Sequence, residues 1–160
     1  DSLPVWHNVA FGLIHGKHMD KAGAKKIAIE KLESVGLNKA VAELFPAELS
    51  GGMQKRVSLA RAIATKPEII FFDEPTTGLH FDDIRKLLFA LHGLVEKGHT
   101  VLVIEHNIEV IKTADWLIDL GPGGGKHGGQ LLYQGPPEGV LKVSTSYTAQ
   151  YLKDKMTKKK

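Results

Sequence analysis

The 160-residue sequence contains no cysteine and no long hydrophobic run. The missing cysteines exclude disulfide bonds and cysteine-ligated zinc modules. No apolar run approaches the roughly 20 residues that cross a bilayer, and the sequence shows no basic, apolar and small-residue leader. We therefore expect a cytoplasmic protein, with any membrane link peripheral and at the inner membrane.

An excess of positive charge is also missing from the body of the chain. The net charge is +3, but residues 153–160 hold five lysines against one aspartate, and the remainder is nearly neutral. A lysine run at a chain end is typical of a solvated, disordered tail. We therefore do not expect this chain to bind DNA by itself.

The sequence also lacks G-x-x-x-x-G-K-[ST], the loop whose backbone N–H groups and lysine hold nucleotide phosphates. The glycine-rich run from Gly121 to Gly129 does not replace it. Only three residues separate Gly121 from Gly125, and His127 stands where serine or threonine is required. We expect no phosphate cradle in this run.

The most informative segment that is present runs from Leu49 to Leu79, LSGGMQKRVSLARAIATKPEIIFFDEPTTGL. Ser50 is suited to cap a helix through its hydroxyl, while Gly51 and Gly52 allow a ligand to approach the backbone closely. The N-terminal end of such a helix offers a binding site for a phosphate group.

The second half of this segment predicts a buried strand. Ile69 to Phe72 form an unbroken apolar run after a helix that ends near Pro67, as in a parallel strand covered on both faces. Asp73 and Glu74 follow directly. They would lie at the carboxyl edge of the sheet, where α/β folds bind their ligands.

The spacing of apolar residues predicts the remaining elements. Helices are expected near residues 3–13, 20–35 and 81–97, and strands at 100–104, 116–120 and 131–134. Pro136 and Pro137 open a final helical region. Trp6, in the first helix, fits either the core or an exposed docking surface.

Together these motifs resemble the ATP-binding cassette (ABC) ATPases. LSGGMQKRVSLARA resembles the ABC signature motif with its helix, IIFFDE the Walker B strand, and Glu105-His106 the switch-histidine loop. The resemblance implies ATP and Mg²⁺ as cofactors. It implies that Asp73 holds Mg²⁺, that Glu74 polarises or deprotonates the attacking water, and that His106 contacts the γ-phosphate.

In this family the signature motif of one subunit closes over ATP held by the phosphate loop of another. The resemblance therefore implies a second ABC ATPase subunit as partner, with a composite site between the two chains. The residues that it assigns to the nucleotide on this side are Ser50, Gly51, Gly52 and Gln54.

The two halves of the chain resemble different ABC families. Residues 1–75, with DSLPVWHNVAFGL and FPAELSGGMQKRVSLARAI, resemble the ATPases of bacterial Mla-type lipid-asymmetry transporters, which work with a membrane permease subunit. Residues 73–152, with EPTTGLHFDDIRKLL and VLVIEHNIEVIKTADWLIDLGPGGG, resemble the C-terminal ATPase region of the UvrA family of nucleotide excision repair. His80 follows the UvrA pattern where transporters have aspartate. A junction within the shared DEPTTGL is the simplest interpretation.

These observations predict an α/β fold of the P-loop NTPase type with a parallel sheet, truncated on its N-terminal side. We expect a helical subdomain over residues 1–48, a RecA-like core over 49–152 and a lysine-rich tail over 153–160. The predicted function is an ABC ATPase half-site coupled to lipid transport. The alternatives are a UvrA-like repair ATPase fragment and a non-catalytic chimeric fragment. Without the phosphate loop, we expect no turnover of ATP by this chain alone.

Overall fold

The computed structural model of the chain describes residues 3–123 and 128–156. Packing divides the described chain into two units, with the division after Ile104. Helices on both sides of residue 48 share one hydrophobic core in the first unit. The predicted subdomain boundary between residues 48 and 49 therefore does not coincide with this division, and it stays a prediction about the complete cassette.

The first unit combines helices with a small parallel sheet. Its helices and strands are α1 (Val5–Phe11), α2 (Lys21–Ser34), α3 (Gly51–Ala64), β1 (Ile69–Asp73), α4 (Phe81–Val95) and β2 (Thr100–Ile104). A π-helical turn, Gly12–Gly16, extends α1, and two 3₁₀ turns, Lys39–Glu43 and Pro46–Glu48, lie between α2 and α3. This is the α/β architecture that the sequence predicts.

The ends of α2 and α3 follow local signals in the sequence. Asp20 caps α2 by accepting a hydrogen bond from the backbone N–H of Gly23 at 2.9 Å. Gly36, just after α2, has a φ of 74°, a left-handed conformation that glycine adopts without steric cost. After α3 the backbone of Lys66 also turns left-handed, directly before Pro67. The predicted ends of both helices are confirmed to within a residue or two.

The core of the first unit is formed mainly by the helices. Its largest fully buried side chains are Leu32, Leu59, Val5, Val9 and Val35. Trp6 is half-buried against this core, with the ammonium of Lys25 5.3 Å from its ring centroid. The ring therefore contributes to packing and keeps an exposed part.

The sheet of the first unit is covered on one face only. β1 and β2 pair in parallel, with Phe71 opposite Leu102 and Asp73 opposite Ile104. Ile70 is buried and Phe72 packs against the core, whereas Ile69 is 66% and Phe71 56% exposed. The prediction of a strand buried on both faces is therefore wrong for this chain, because the helices of the unit cover a single side of the sheet.

The second unit contains a short hairpin-like sheet and helices. Its elements are α5 (Ile108–Ile111), β3 (Leu117–Gly121), β4 (Gln130–Gly135), a 3₁₀ helix (Pro137–Lys142) and α6 (Tyr147–Met156). β3 and β4 pair antiparallel, so among the described strands the parallel sheet predicted for the region from residue 49 to 152 is limited to β1 and β2.

A buried carboxylate ties this second sheet to α6. Asp119 of β3 accepts hydrogen bonds from the hydroxyls of Ser146 (2.6 Å) and Thr148 (2.8 Å). The Ser146 hydroxyl in turn accepts from the backbone N–H of Ala149 at 2.9 Å and so caps α6. Val140, Ala149 and Leu152 form the small core beside this network.

The lysine-rich end is helical as far as it is described. Residues 153–156 form the last turn of α6, and Lys155 lies 3.6 Å from the carboxylate of Glu109. The prediction of a disordered tail is therefore wrong for these residues, because the helix continues through them; residues 157–160 lie outside the described part. In that part, no helix has both the length and the apolar composition needed to cross a bilayer.

Candidate nucleotide site

The start of α3 has the geometry of a helix terminus open to a ligand. Ser50 has an extended backbone, and its hydroxyl accepts a hydrogen bond from the backbone N–H of Met53 at 3.3 Å. Ser50 and Gly51 are exposed, whereas Gly52 is buried. The Met53 N–H is held by Ser50, so Gly51 is the exposed helical residue of this turn, at the positive end of the helix dipole.

Gln54 fixes the loop that precedes this turn. Its side-chain amide nitrogen donates to the backbone oxygens of Pro46 (3.2 Å) and Leu49 (3.3 Å). Its backbone N–H donates to the oxygen of Ser50 at 2.9 Å. The structure thus places Gln54 next to Ser50, Gly51 and Gly52, and the side-chain amide of Gln54 holds the preceding loop through its hydrogen bonds. A direct contact of Gln54 with nucleotide stays a prediction.

Arg56 supports the same turn from inside the protein. Its side chain is buried and donates to the backbone oxygens of Gly52 (3.3 Å) and Gly36 (2.8 Å). A guanidinium that binds carbonyl groups satisfies part of its hydrogen-bonding capacity without a carboxylate partner. Arg56 therefore connects the first turn of α3 to the end of α2.

The two predicted carboxylates lie at the carboxyl end of β1. Asp73 is the last residue of the strand and is exposed. Glu74 has a φ of 43°, and its backbone N–H donates to the oxygen of Ile104 at 2.9 Å. A non-glycine residue in this left-handed region costs free energy, and such residues occur at functional sites.

Thr77 contacts Glu74 directly, a contact that the sequence analysis did not identify. Its hydroxyl donates to the Glu74 carboxylate at 3.1 Å, and its backbone N–H donates to the Glu74 oxygen at 3.3 Å. Gly78 follows with a φ of 76°. The chain therefore folds back immediately after Glu74, and this turn limits the orientations of its carboxylate.

The segment after this turn packs against the start of α3. A methyl carbon of Leu79 lies 3.8 Å from where a Cβ on Gly51 would be. The carboxylate of Asp83 occupies the space beside Gly52, only 2.3 Å from the position of a Cβ there. Residues widely separated in sequence thus meet at the first turn of α3, residues 50–53, which we call the signature turn. No local sequence pattern predicts this contact.

Asp73 and Glu74 fit a magnesium ion only as part of its coordination shell. In residues 3–123 and 128–156, no group of three or more histidine, aspartate or glutamate side chains could hold a metal by itself. Mg²⁺ in nucleotide sites is commonly bound by one or two carboxylates together with phosphate oxygens and water. The exposed carboxylate of Asp73 fits that contribution.

His106 is exposed and belongs to the second unit, where it follows β2 at the start of α5. The carboxylate of Glu105 accepts hydrogen bonds from the backbone N–H groups of His106 (3.0 Å) and Asn107 (3.1 Å). The predicted position after the strand is confirmed, and the contact with a γ-phosphate stays a prediction. His127 of the glycine-rich run lies outside the described residues.

Comparison with known proteins identifies similar sequences and folds. The sequence model of the ABC transporter family matches residues 4–77. The chain is 50% identical over 129 residues to UvrABC system protein A of Mesorhizobium japonicum, covering 79% of this chain and 13% of that protein. It is 58% identical over 107 residues to the Mycobacterium tuberculosis protein of the same name, covering 65% and 11%.

Solved structures of related proteins have a fold similar to that of this chain. UvrA2 from Deinococcus radiodurans matches with a TM-score of 0.68 and 35% identity, covering 96% of this chain and 18% of that one. The cassette MJ0796, in a dimeric post-hydrolysis state bound to ADP and Pi, matches with a TM-score of 0.65 and 36% identity, covering 73% and 52%.

These alignments bear on the predicted junction. The chain spans about an eighth of the length of the first of these curated relatives. An alignment of 129 residues is longer than the segment from Asp73 to the chain end, so the similarity to UvrA continues on the N-terminal side of Asp73. The Mla-type resemblance of residues 1–75 stays a prediction.

Proposed function

Because residues 4–77 match the ABC transporter family and most of the chain is similar to UvrABC system protein A, we propose that it supplies two parts of the composite ATP sites of a UvrA-like protein. One part is the signature turn at Ser50, and the other is the carboxylate pair Asp73 and Glu74. The observation that carries the proposal is the start of α3, which is capped by Ser50 and open to solvent.

The signature turn serves ATP that is held by a partner subunit. The first N–H groups of α3 point out of the helix without intrahelical acceptors, and a negatively charged phosphate satisfies them. Gly51 leaves room for that approach because it has no side chain. Gln54 and Arg56 hold the turn in place from the loop and from the core.

The carboxylate pair serves the nucleotide on this chain's own side. Mg²⁺, when bound, neutralises charge on the phosphates, and Asp73 is the residue that would hold it. Glu74 accepts a proton from, or orients, the attacking water. Thr77 donates to the Glu74 carboxylate and so keeps it at the end of β1. Hydrolysis then requires a phosphate loop, which is not among these 160 residues.

We propose the repair-type function in preference to lipid transport. The relatives reported above are UvrABC system protein A and UvrA2, and their similarity spans most of this chain. His80, at the position where the transporter pattern has aspartate, agrees with that choice. A membrane permease as partner, and lipid as cargo, have no comparable support.

The proposal is tested by nucleotide-dependent association. The fluorescently labelled chain is mixed with a full-length UvrA in which the catalytic glutamate is replaced by glutamine, so that ATP persists. Sedimentation velocity is recorded with and without Mg-ATP. We expect a complex that requires Mg-ATP, because ATP joins the two surfaces.

Two variants of the same helix provide the control. Ser50→Arg places a large side chain in the signature turn and should abolish the complex, whereas Ser58→Arg, two turns along on an exposed position, should not. Association that is equally strong with and without Mg-ATP would refute the proposed role of the turn. Equal loss of association in both variants would refute it as well. Tighter association with a lipid-transporter ATPase than with UvrA would favour transport.

A further inference from the structure

A pocket of about 590 Å³ lies in the first unit, between α4, α3 and the segment that follows α2. Apolar side chains, among them Leu37 and Phe89, form most of its wall. The charged side chains that line it in the described structure are all cationic: Arg56, Arg85 and Lys86. Apolar walls with a few charged groups of one sign are suited to a ligand that carries both apolar and anionic groups.

Arg56 is the buried cation of this pocket, at 7% exposure. Its Nε donates to the oxygen of Gly52 (3.3 Å) and its Nη1 to the oxygen of Gly36 (2.8 Å), and these carbonyl groups compensate part of its charge. Nη2 has no acceptor among the described residues, and none of their carboxylates lies within ion-pair distance. A buried charge without a counter-ion is costly, so an anion that enters the pocket is stabilised by pairing with Arg56.

The exposed face of α4 continues the same chemistry at the rim. Arg85 and Phe89 lie one turn apart on this helix, and Lys86 follows Arg85. Asp82 lies 3.0 Å from Arg85, but both side chains are exposed and solvent screens their attraction. Lys86 makes no ion pair within residues 3–123 and 128–156. The rim therefore presents positive charge beside an exposed aromatic ring.

We propose that this pocket, which we call the Arg56 pocket, binds an acidic segment of a partner protein. One carboxylate of the segment pairs with Arg56, a neighbouring apolar side chain packs against Leu37 and Phe89, and a second carboxylate contacts Lys86. Hydrogen bonds between a guanidinium and a carboxylate are charge-assisted and therefore strong. The inference does not depend on the proposed function, because Ser50, Asp73 and Glu74 do not line the pocket.

The shape and the walls of the Arg56 pocket favour a peptide over nucleic acid. A glutamate side chain is narrow and flexible, so it can reach a guanidinium that is almost completely buried. The backbone of DNA carries a negative charge at every nucleotide and little apolar surface. It could contact Lys86 at the rim, but it would leave the apolar wall around Leu37 unmatched.

The test uses the whole chain and a fluorescent peptide in which glutamate and leucine alternate. Fluorescence anisotropy at constant ionic strength gives the affinity, and NMR follows the side-chain Nε–H signal of Arg56. We expect saturable binding that shifts this signal. Peptides with glutamine in place of glutamate, or with serine in place of leucine, should not bind. An Arg56 signal that stays unchanged at saturation, or the absence of peptide binding, would overturn the proposal.

Substitutions locate the binding site. Arg56→Lys keeps the charge but lacks the Nη donors, and it should weaken binding about tenfold. Lys86→Glu reverses an exposed charge without disturbing the core and should weaken binding about threefold to tenfold. Lys26→Glu makes the same change on an exposed position of α2 outside the lining, and it should alter the affinity by less than about twofold. Circular dichroism confirms that each variant is folded.

The remaining outcomes distinguish a specific site from general attraction. Equal losses in Lys86→Glu and Lys26→Glu would show that the peptide responds to net charge, and they would overturn the proposal. A duplex oligonucleotide provides the second probe. If it shifts the Arg56 signal at lower concentration than the peptide does, the pocket is a nucleic-acid site and the proposed partner is wrong.

Discussion

Three side chains at the signature turn stabilise the fold independently of any nucleotide. Ser50 caps α3, Gln54 holds the preceding loop, and Arg56 connects the turn to the end of α2. The cap was predictable from sequence, because serine before a helix acts through local hydrogen bonds. The burial of Arg56 was not predictable from sequence, because it depends on a hydrogen bond to Gly36, which follows α2 and is distant in the sequence.

The cap predicts a specific loss of stability. Ser50→Ala removes the acceptor for the Met53 N–H and should lower the free energy of unfolding by about 1 kcal/mol. Ser58→Ala, on an exposed position of the same helix, should change it by less than about 0.5 kcal/mol. Urea denaturation followed by circular dichroism measures both. Equal effects would show that Ser50 does not act as a cap.

A second prediction at the residue scale concerns pH. The hydrogen bond from Lys112, helped by the charges of Lys112 and Lys155, holds the pKa of Glu109 below its ordinary value of 4.5, against an opposing effect of burial. Because the folded-state pKa is the lower one, the pairing stabilises the fold above pH 4.5 and loses this effect as pH falls through the folded pKa.

Lys112→Met should therefore raise the pKa of Glu109 toward 4.5, as measured by carbon-13 NMR of the side-chain carboxyl. The accompanying change in stability should be small, since the pair lies at the surface and solvent screens it. Lys86→Met, an exposed substitution on α4, serves as the control. An unchanged Glu109 pKa in Lys112→Met would contradict the assigned cause.

At the scale of elements, the positions of strands were predictable and their burial was not. β2 begins and ends where its apolar run predicts, and β1 extends one residue further, to Asp73. Burial depends on what packs against a strand, and that information is not local. The same limit explains why the contact of Asp83 with Gly52 had no signal in the sequence.

The exposed face of the first sheet predicts self-association. Ile69, Phe71, Leu102 and Ile104 all expose apolar area, and among the described strands β1 pairs with β2 alone. Exposed apolar faces and unpaired strand edges promote association. We expect the isolated chain to form dimers or larger species, as measured by sedimentation velocity.

Substitution tests whether that face is responsible. Phe71→Lys should shift the distribution toward monomer, because a charge on the sheet face opposes its burial. Phe89→Lys removes an aromatic ring that is 82% exposed on α4 and should leave association unchanged. A sharp monomer peak for the unchanged chain would show that the open sheet face does not associate.

For the molecule as a whole, the sequence holds strings that resemble the ABC signature and Walker B motifs, and the loop that holds ATP phosphates is not among its 160 residues. The fold class and the order of the motifs were predictable, because each motif is a contiguous string with its own local geometry. Lipid transport has no support in the comparisons, and the sequence did not separate it from repair, because Ser50, Asp73 and Glu74 lie in strings that resemble both families. Sequence similarity over most of the chain favours the repair type.

The central claim is that this chain completes an ATP site held by another subunit, and rescue of hydrolysis tests it most directly. A full-length UvrA whose own signature serines are replaced by arginine is mixed with the chain, and phosphate release is measured with Mg-ATP. The chain alone should release no phosphate above background, because Asp73 and Glu74 lack a phosphate loop. The mixture should regain part of the normal rate, and Ser50→Arg should abolish that gain. A complex that forms in sedimentation but restores no hydrolysis would contradict the claim.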